Sequence, residues 1–348
     1  MSNKISAVLI NRLNLIFKWY LGMVNERTGR LHYMYYPKFS IFSDAGSPIR
    51  EIASVWEMEM LGSLLNRKDL KPVIDKILQY YIGFCIEGNG YVILNPELLR
   101  EPSSIAHSAF MILSLLYSQI PDGKARAILM AEGILRNQRN DGSYKIYFGD
   151  EPDTGLEFYP GEAMLSLMEL HAKTSDSKYL ESVESGFHYY SSQYFEKGLG
   201  EEIPVFFANW QSQFCRLLFQ YAESDYLRGI RRYVFELHDR IIENDFYIDI
   251  QIRPARQSSV EVACAAEGLN DAYSIAAREH EEQRMERYRE CLCIALSYLL
   301  DVQCTEHCAQ MEEGGFGFSL SERTQRVDVT GHVVSAFIKS LRNAITCE

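Results

Sequence analysis

The stretch "NQRNDGSYKIYF", Asn137 to Phe148, decides how the chain is read. A helical pattern ends there. Asp141 and Gly142 supply a turn, and Tyr144, Ile146 and Phe148 then alternate with polar residues. A turn dipeptide followed by a period of two is strand-like chemistry. The other segments of the chain repeat at helical spacing, so the question is whether this piece recurs.

It does recur. "ERTGRLHYMYY" from Glu26 and "EGNGYVIL" from Glu87 show a turn followed by aromatic or apolar residues. Weaker copies are "EKGLGEEIPVFF" from Glu196, "NDFYIDIQI" from Asn244 and "EEGGFGFS" from Glu312. Successive copies are roughly 55 residues apart, the period of a two-helix unit with a decorated loop.

Helical segments of two kinds alternate between the copies. The first helix and segments 68–84, 123–138, 177–195, 224–242 and 281–300 are amphipathic, with charges on one face. Segments 49–65, 103–117, 160–170, 204–219, 259–277 and 329–341 are apolar or small nearly all round. A helix apolar on every face must be buried on every face. Six inner helices sheathed by six outer ones predict an all-α fold, the (α/α)6 toroid. An open solenoid would end in a helix with a polar outer face. The last helix, from Val329, is as apolar as the middle ones, which favours a closed ring. No Pro/Ser-rich linker divides the chain, so residues 1–348 are expected to form a single domain.

Composition narrows the partners. The 348 residues carry a net charge of −12, which repels phosphate backbones and argues against nucleic acid. No run of about 20 apolar residues occurs, so no membrane span is expected. The apolar N-terminal segment is broken by Asn11, Arg12 and Asn14 and lacks the core of a signal peptide. The eight Cys show no secreted disulfide framework. A cytoplasmic protein with reduced thiols is the expectation.

The long connections all precede the N-termini of the apolar helices, so those ends should converge on a funnel. Helix N-termini favour negative charge on a ligand. Polar residues inside the apolar helices are then informative, because each unpaired buried polar group costs a few kcal/mol. The candidates for acid–base catalysis are Glu162, Glu261, Asp328, His107 and His332. Arg50, Tyr159, Asn209, Trp210 and Gln211 are the candidates for holding substrate. Each also has a plain structural reading. Glu162 and Asp328 can cap their helices, the histidines can be satisfied core residues, and the aromatics can be packing. Glu267 and Asp271, one turn apart and deeper, read as internal hydrogen-bonding groups. "CTEHC" offers Cys304, His307 and Cys308 at metal-ligand spacing, but no second ligand pair stands nearby. No metal set and no cofactor are expected.

Three phrases carry a resemblance. "NQRNDGSY" is similar to the Q-x-x-D-G-S phrase of squalene-cyclase and prenyltransferase repeats. "EFYPGEAMLSLMELHAKTSDSKYLESV" and "AAEGLNDAYSIA" resemble the helical hairpins of carbohydrate-active toroids. Together they resemble the six-hairpin superfamily of glycoside hydrolases, sugar epimerases, polysaccharide lyases, terpenoid cyclases and related enzymes. The departures are specific: no D-x-D-D acid and no Cys-His-Gly zinc phrase is present. The resemblance implies a carbohydrate-active enzyme, a glycan or uronic-acid hydrolase, epimerase or lyase, acting on a small-molecule or oligosaccharide substrate. Two other readings stay open: a terpenoid-cyclase-like, prenyltransferase-like or peptide-modifying enzyme, and a non-catalytic toroid that binds a peptide or protein.

Overall fold

The computed structural model describes residues 4–43, 45–197, 204–306 and 308–347. The early elements are α1 (Lys4–Gly22), β1 (Met34–Tyr36), β2 (Ile41–Phe42), α2 (Pro48–Leu65) and α3 (Lys71–Ile82). Next come β3 (Cys85–Gly88), β4 (Tyr91–Leu94), α4 (Pro96–Leu99), α5 (Ile105–Tyr117), α6 (Gly123–Arg136) and α7 (Tyr159–Thr174). Then follow α8 (Ser177–Lys197), α9 (Val205–Tyr221), α10 (Ser224–Glu243) and α11 (Phe246–Ile252). The chain ends with α12 (Ser259–Arg278), α13 (Glu282–Val302), β5 (Gln325–Arg326) and α14 (Val327–Arg342). Among the described residues, no helix is long and apolar enough to cross a membrane.

The chain forms two compact units, Met1–Ile74 with Phe235–Glu348, and Asp75–Val234. Each holds three of the six all-round apolar helices. In the first unit α12 packs on α13 and α14, and α14 packs on α2 and α1. In the second, α5 packs on α6 and α7, and α7 packs on α8 and α9. The apolar helices therefore lie side by side within each unit, which gives their extra faces something to bury against.

The recurring loops build the expected small pairings. Asn89 and Gly90, both at positive φ, turn the β3–β4 hairpin, as an Asn-Gly pair does. In "NQRNDGSYKIYF" the Asp141 carboxylate accepts from the Ser143 amide and hydroxyl. Gly142 has φ +91°, and any side chain there would run into the Ser185 carbonyl of α8. Gln138 donates to the carbonyls of Gly142 and Ser182 and accepts from the Ser182 hydroxyl. The phrase thus docks on α8, and Tyr144 and Ile146 are fully buried beneath it.

One described copy differs from the reading. "NDFYIDIQI" is helical, as α11, because its buried residues Tyr247 and Ile250 fall at a spacing of three. "EKGLGEEIPVFF" lies partly outside the described residues, and from Val205 on it is α9.

The cysteines also depart from expectation. Cys293 of α13 is disulfide-bonded to Cys347 across a Cα–Cα distance of 5.5 Å. Cys304 and Cys308 stand side by side, and His307 lies outside the described residues.

Candidate active site

A short ladder assembles the site in the first unit. β5 pairs antiparallel with β1, setting Met34 opposite Arg326. The Val327 amide then donates to the Tyr33 carbonyl at 3.2 Å. The loop tyrosine is thereby fixed beside the first turn of α14. Asp328, in that turn, is where a carboxylate also favours the helix dipole.

Arg326 grips Asp328 with two nitrogens, Nε donating to Oδ1 at 3.0 Å and Nη2 to Oδ2. Arg50, from the first turn of α2, brings its Nε to 3.4 Å from Asp328 Oδ2 and donates to the Tyr33 hydroxyl. Both guanidinium carbons stand 5.8 Å from the Tyr33 ring centroid. The Arg50 side chain is 46% exposed while that of Asp328 is 10%, so one cation still faces solvent.

One turn deeper, His332 Nδ1 donates to Glu267 Oε2 at 2.9 Å. Glu267 comes from α12 and is 1% exposed. Lys339, two turns further along α14, lies 3.8 Å from Glu267 Oε1 and donates to Asp271 Oδ2 at 2.6 Å. Burial opposes the charge on Glu267, but Lys339 and His332 outweigh it and hold its carboxyl at about 2. Burial also works against a proton on His332, whereas Cys264 and Glu267 work for it, and the net direction is up. The Cys264 thiol is hydrogen-bonded to His332 and pushed up by burial. The ligating atoms of Cys264, Glu267 and His332 all lie within 4.8 Å of one another, a group able to hold a metal ion.

Glu57 was not among the sequence candidates. It follows Arg50 by seven residues on α2, two helical turns, and so shares its face. It is 5% exposed and lies against Gly331, the residue before His332. Its Oε2 has no hydrogen-bond partner among the described residues. Burial raises its pKa well above the usual carboxylate range; His332 opposes that, and Glu267 and Asp328 add to it. α2 also carries Glu51 and Glu59, so the sequence pattern alone did not single Glu57 out.

The other candidates are placed as follows. Glu261 is half-buried in the first turn of α12, one turn before Cys264, within electrostatic reach of Tyr298. The rest belong to the second unit. His107 forms a capping box: its Nδ1 accepts from the Ser104 amide, and its Nε2 pairs with Glu101 at 2.9 Å. Glu162 is buried in the first turn of α7, and Tyr159 begins that helix. Trp210 is buried with its ring edge-on to Phe110 at 5.8 Å. Gln211 accepts from the Tyr233 hydroxyl at 3.0 Å, joining α9 to α10, and Asn209 accepts from Gln213 one turn on. The structure therefore brings Arg50, Asp328 and His332 together and adds Glu57, Cys264, Glu267 and Tyr33 to them.

No family model and no curated protein matches the sequence. Solved structures do match. A D-mannose isomerase superposes with a TM-score of 0.69 over 98% of both chains at 10% identity. The cellobiose 2-epimerase from Spirochaeta thermophila DSM 6192 gives 0.67 over 99% of this chain and 97% of its own, at 12% identity. An unsaturated glucuronyl hydrolase specific for heparin gives 0.61 over 96% and 97%, at 9% identity. At such identities the likeness speaks for the fold alone, and that fold is the (α/α)6 toroid.

Proposed function

We propose that the chain is a carbohydrate-active enzyme, a glycan or uronic-acid hydrolase or epimerase, whose acid–base chemistry runs at the first unit's polar cluster. The observation that carries this reading is the Asp328 carboxylate held by two arginines one turn above the Glu267–His332 pair. Buried charges cost free energy unless they are paired or used. Here four elements contribute them to one place. The isomerase, epimerase and glucuronyl hydrolase named above share the fold and act on sugars by their descriptions, which supports a sugar substrate.

The roles follow from the surroundings. Glu57, in which burial favours the protonated form, is the proton donor. Asp328, fixed in orientation by Arg326, is the opposing carboxylate. Pairs of carboxyl groups in unlike environments divide acid and base work in this way. Arg50, the exposed cation, receives a sugar carboxylate or hydroxyl, with the Tyr33 ring beside it. Glu261 stands one turn from the cluster as a further carboxylate.

The test is turnover by the full chain on a panel of unsaturated uronides, mannosides and cellobiose, with products read by NMR. Glu57→Gln and Asp328→Asn should each lower turnover by about 100-fold or more, the usual share of a general acid or base, with unchanged circular dichroism. Full activity in both variants would remove the assignment.

A further inference from the structure

We propose that Cys264, Glu267 and His332 form a zinc site, one ion per chain, with Glu57 facing its open position. Cys264 and Glu267 are three residues apart on α12 and so share a face, while His332 comes from α14, packed against it. Their ligating atoms already lie within 4.8 Å of one another. Zinc bonds of about 2.0–2.3 Å set tetrahedral ligand edges of about 3.3–3.8 Å. Closing the site therefore needs side-chain shifts of roughly an ångström or less. A thiolate with an imidazole selects zinc over magnesium or calcium.

Charge balance agrees. A Cys264 thiolate and the Glu267 carboxylate cancel the two positive charges of the ion. Lys339 does not stand in the way, because Asp271 neutralises it at 2.6 Å. Binding would release the Cys264 thiol proton, and the proton on His332 where it carries one, to solvent.

The second, independent observation is Glu57. A buried carboxyl oxygen without a partner costs on the order of 1–3 kcal/mol, and that of Glu57 has none among the described residues. A water on the fourth zinc position would supply the missing partner. Three protein ligands with one open position is the arrangement of catalytic zinc. The role of that water rests on the proposed function above, whereas the metal binding does not.

The test uses the full chain, stripped with a chelator and titrated with Zn2+ alone under non-reducing conditions. A Cys304→Ser/Cys308→Ser background removes the Cys304–Cys308 pair as a competing source of sulfur ligands. One zinc per chain by elemental analysis after gel filtration is expected. Cys264→Ser and His332→Gln should weaken binding by more than the roughly 10–100-fold of an outer-shell change. Co2+ in place of zinc should give a thiolate-to-cobalt absorption band that Cys264→Ser abolishes, with circular dichroism confirming that the variant is folded. Absence of stoichiometric zinc, or binding unchanged in Cys264→Ser, overturns the site. Stoichiometric zinc in a protein that turns over no sugar leaves the site standing and removes the carbohydrate reading instead.

Discussion

Glu57 lies directly against Gly331, its carboxyl filling the volume that any other side chain at 331 would need. The absence of a side chain on α14 is thus what admits the acid from α2. Gly331→Ala should expel Glu57 from its place. The expected outcome is a loss of about 1–3 kcal/mol of stability, the cost of overpacking a core, with turnover reduced as far as in Glu57→Gln. Urea unfolding and turnover on the same preparation check this. A variant with wild-type turnover would show that Glu57 is not needed where it stands.

Lys339 is the cation between two buried carboxylates, Glu267 and Asp271. Removing one member of a buried charged group leaves the others uncompensated, at about 3–5 kcal/mol. Lys339→Met should lower the urea midpoint by a corresponding amount. A loss below about 1 kcal/mol, the worth of an exposed pair, would mean that water reaches the group.

His238, on α10, gives a pH dependence whose sign can be worked out. Burial lowers its pKa to about 3, against about 6.5 in the unfolded chain. As pH falls below about 6.5 the unfolded chain takes up a proton that the folded one refuses. Stability should therefore drop by up to about 1.4 kcal/mol per pH unit from this residue, until about pH 3. Comparing unfolding free energies of wild type and His238→Gln between pH 7 and 4 reads the difference in slope. Identical slopes would mean that His238 is not the source.

Cys347→Ser should destabilise the chain by about 2–4 kcal/mol, since closing a loop of this length removes that much from the unfolded state. Chemical unfolding with and without a dithiol should show the same loss in reduced wild type. A reductant-insensitive midpoint would mean that the native fold already fixes the tail.

Much of the fold was legible because it is written in periodicity. Segment 259–277 and segment 329–341 are apolar on all faces for a reason visible in the structure, since α12 and α14 each pack on more than one neighbour. The α11 segment misled because Tyr247 and Ile250 satisfy a helix while the intervening residues alternate like a strand. Part of the candidate site was legible too, in Arg50, Asp328 and His332, polar residues on largely apolar helices. Glu267 looked like an internal hydrogen-bonding group, and it is one, to His332. Its place in the cluster depends on which face of α12 meets α14, a relation between segments some 65 residues apart that no local pattern encodes. Glu57 was hidden for the same reason, as its neighbour is a glycine on another helix.

The Cys293–Cys347 bond has a practical consequence for anyone cutting the chain. It closes a covalent ring that includes the end of α13, the following loop and the whole of α14. Arg323 sits in an exposed part of that loop, where trypsin can reach it. A nick there would leave two polypeptides still joined, with α14 tethered to its partner helices. Such a nicked protein would migrate as one band without reductant and as two with it.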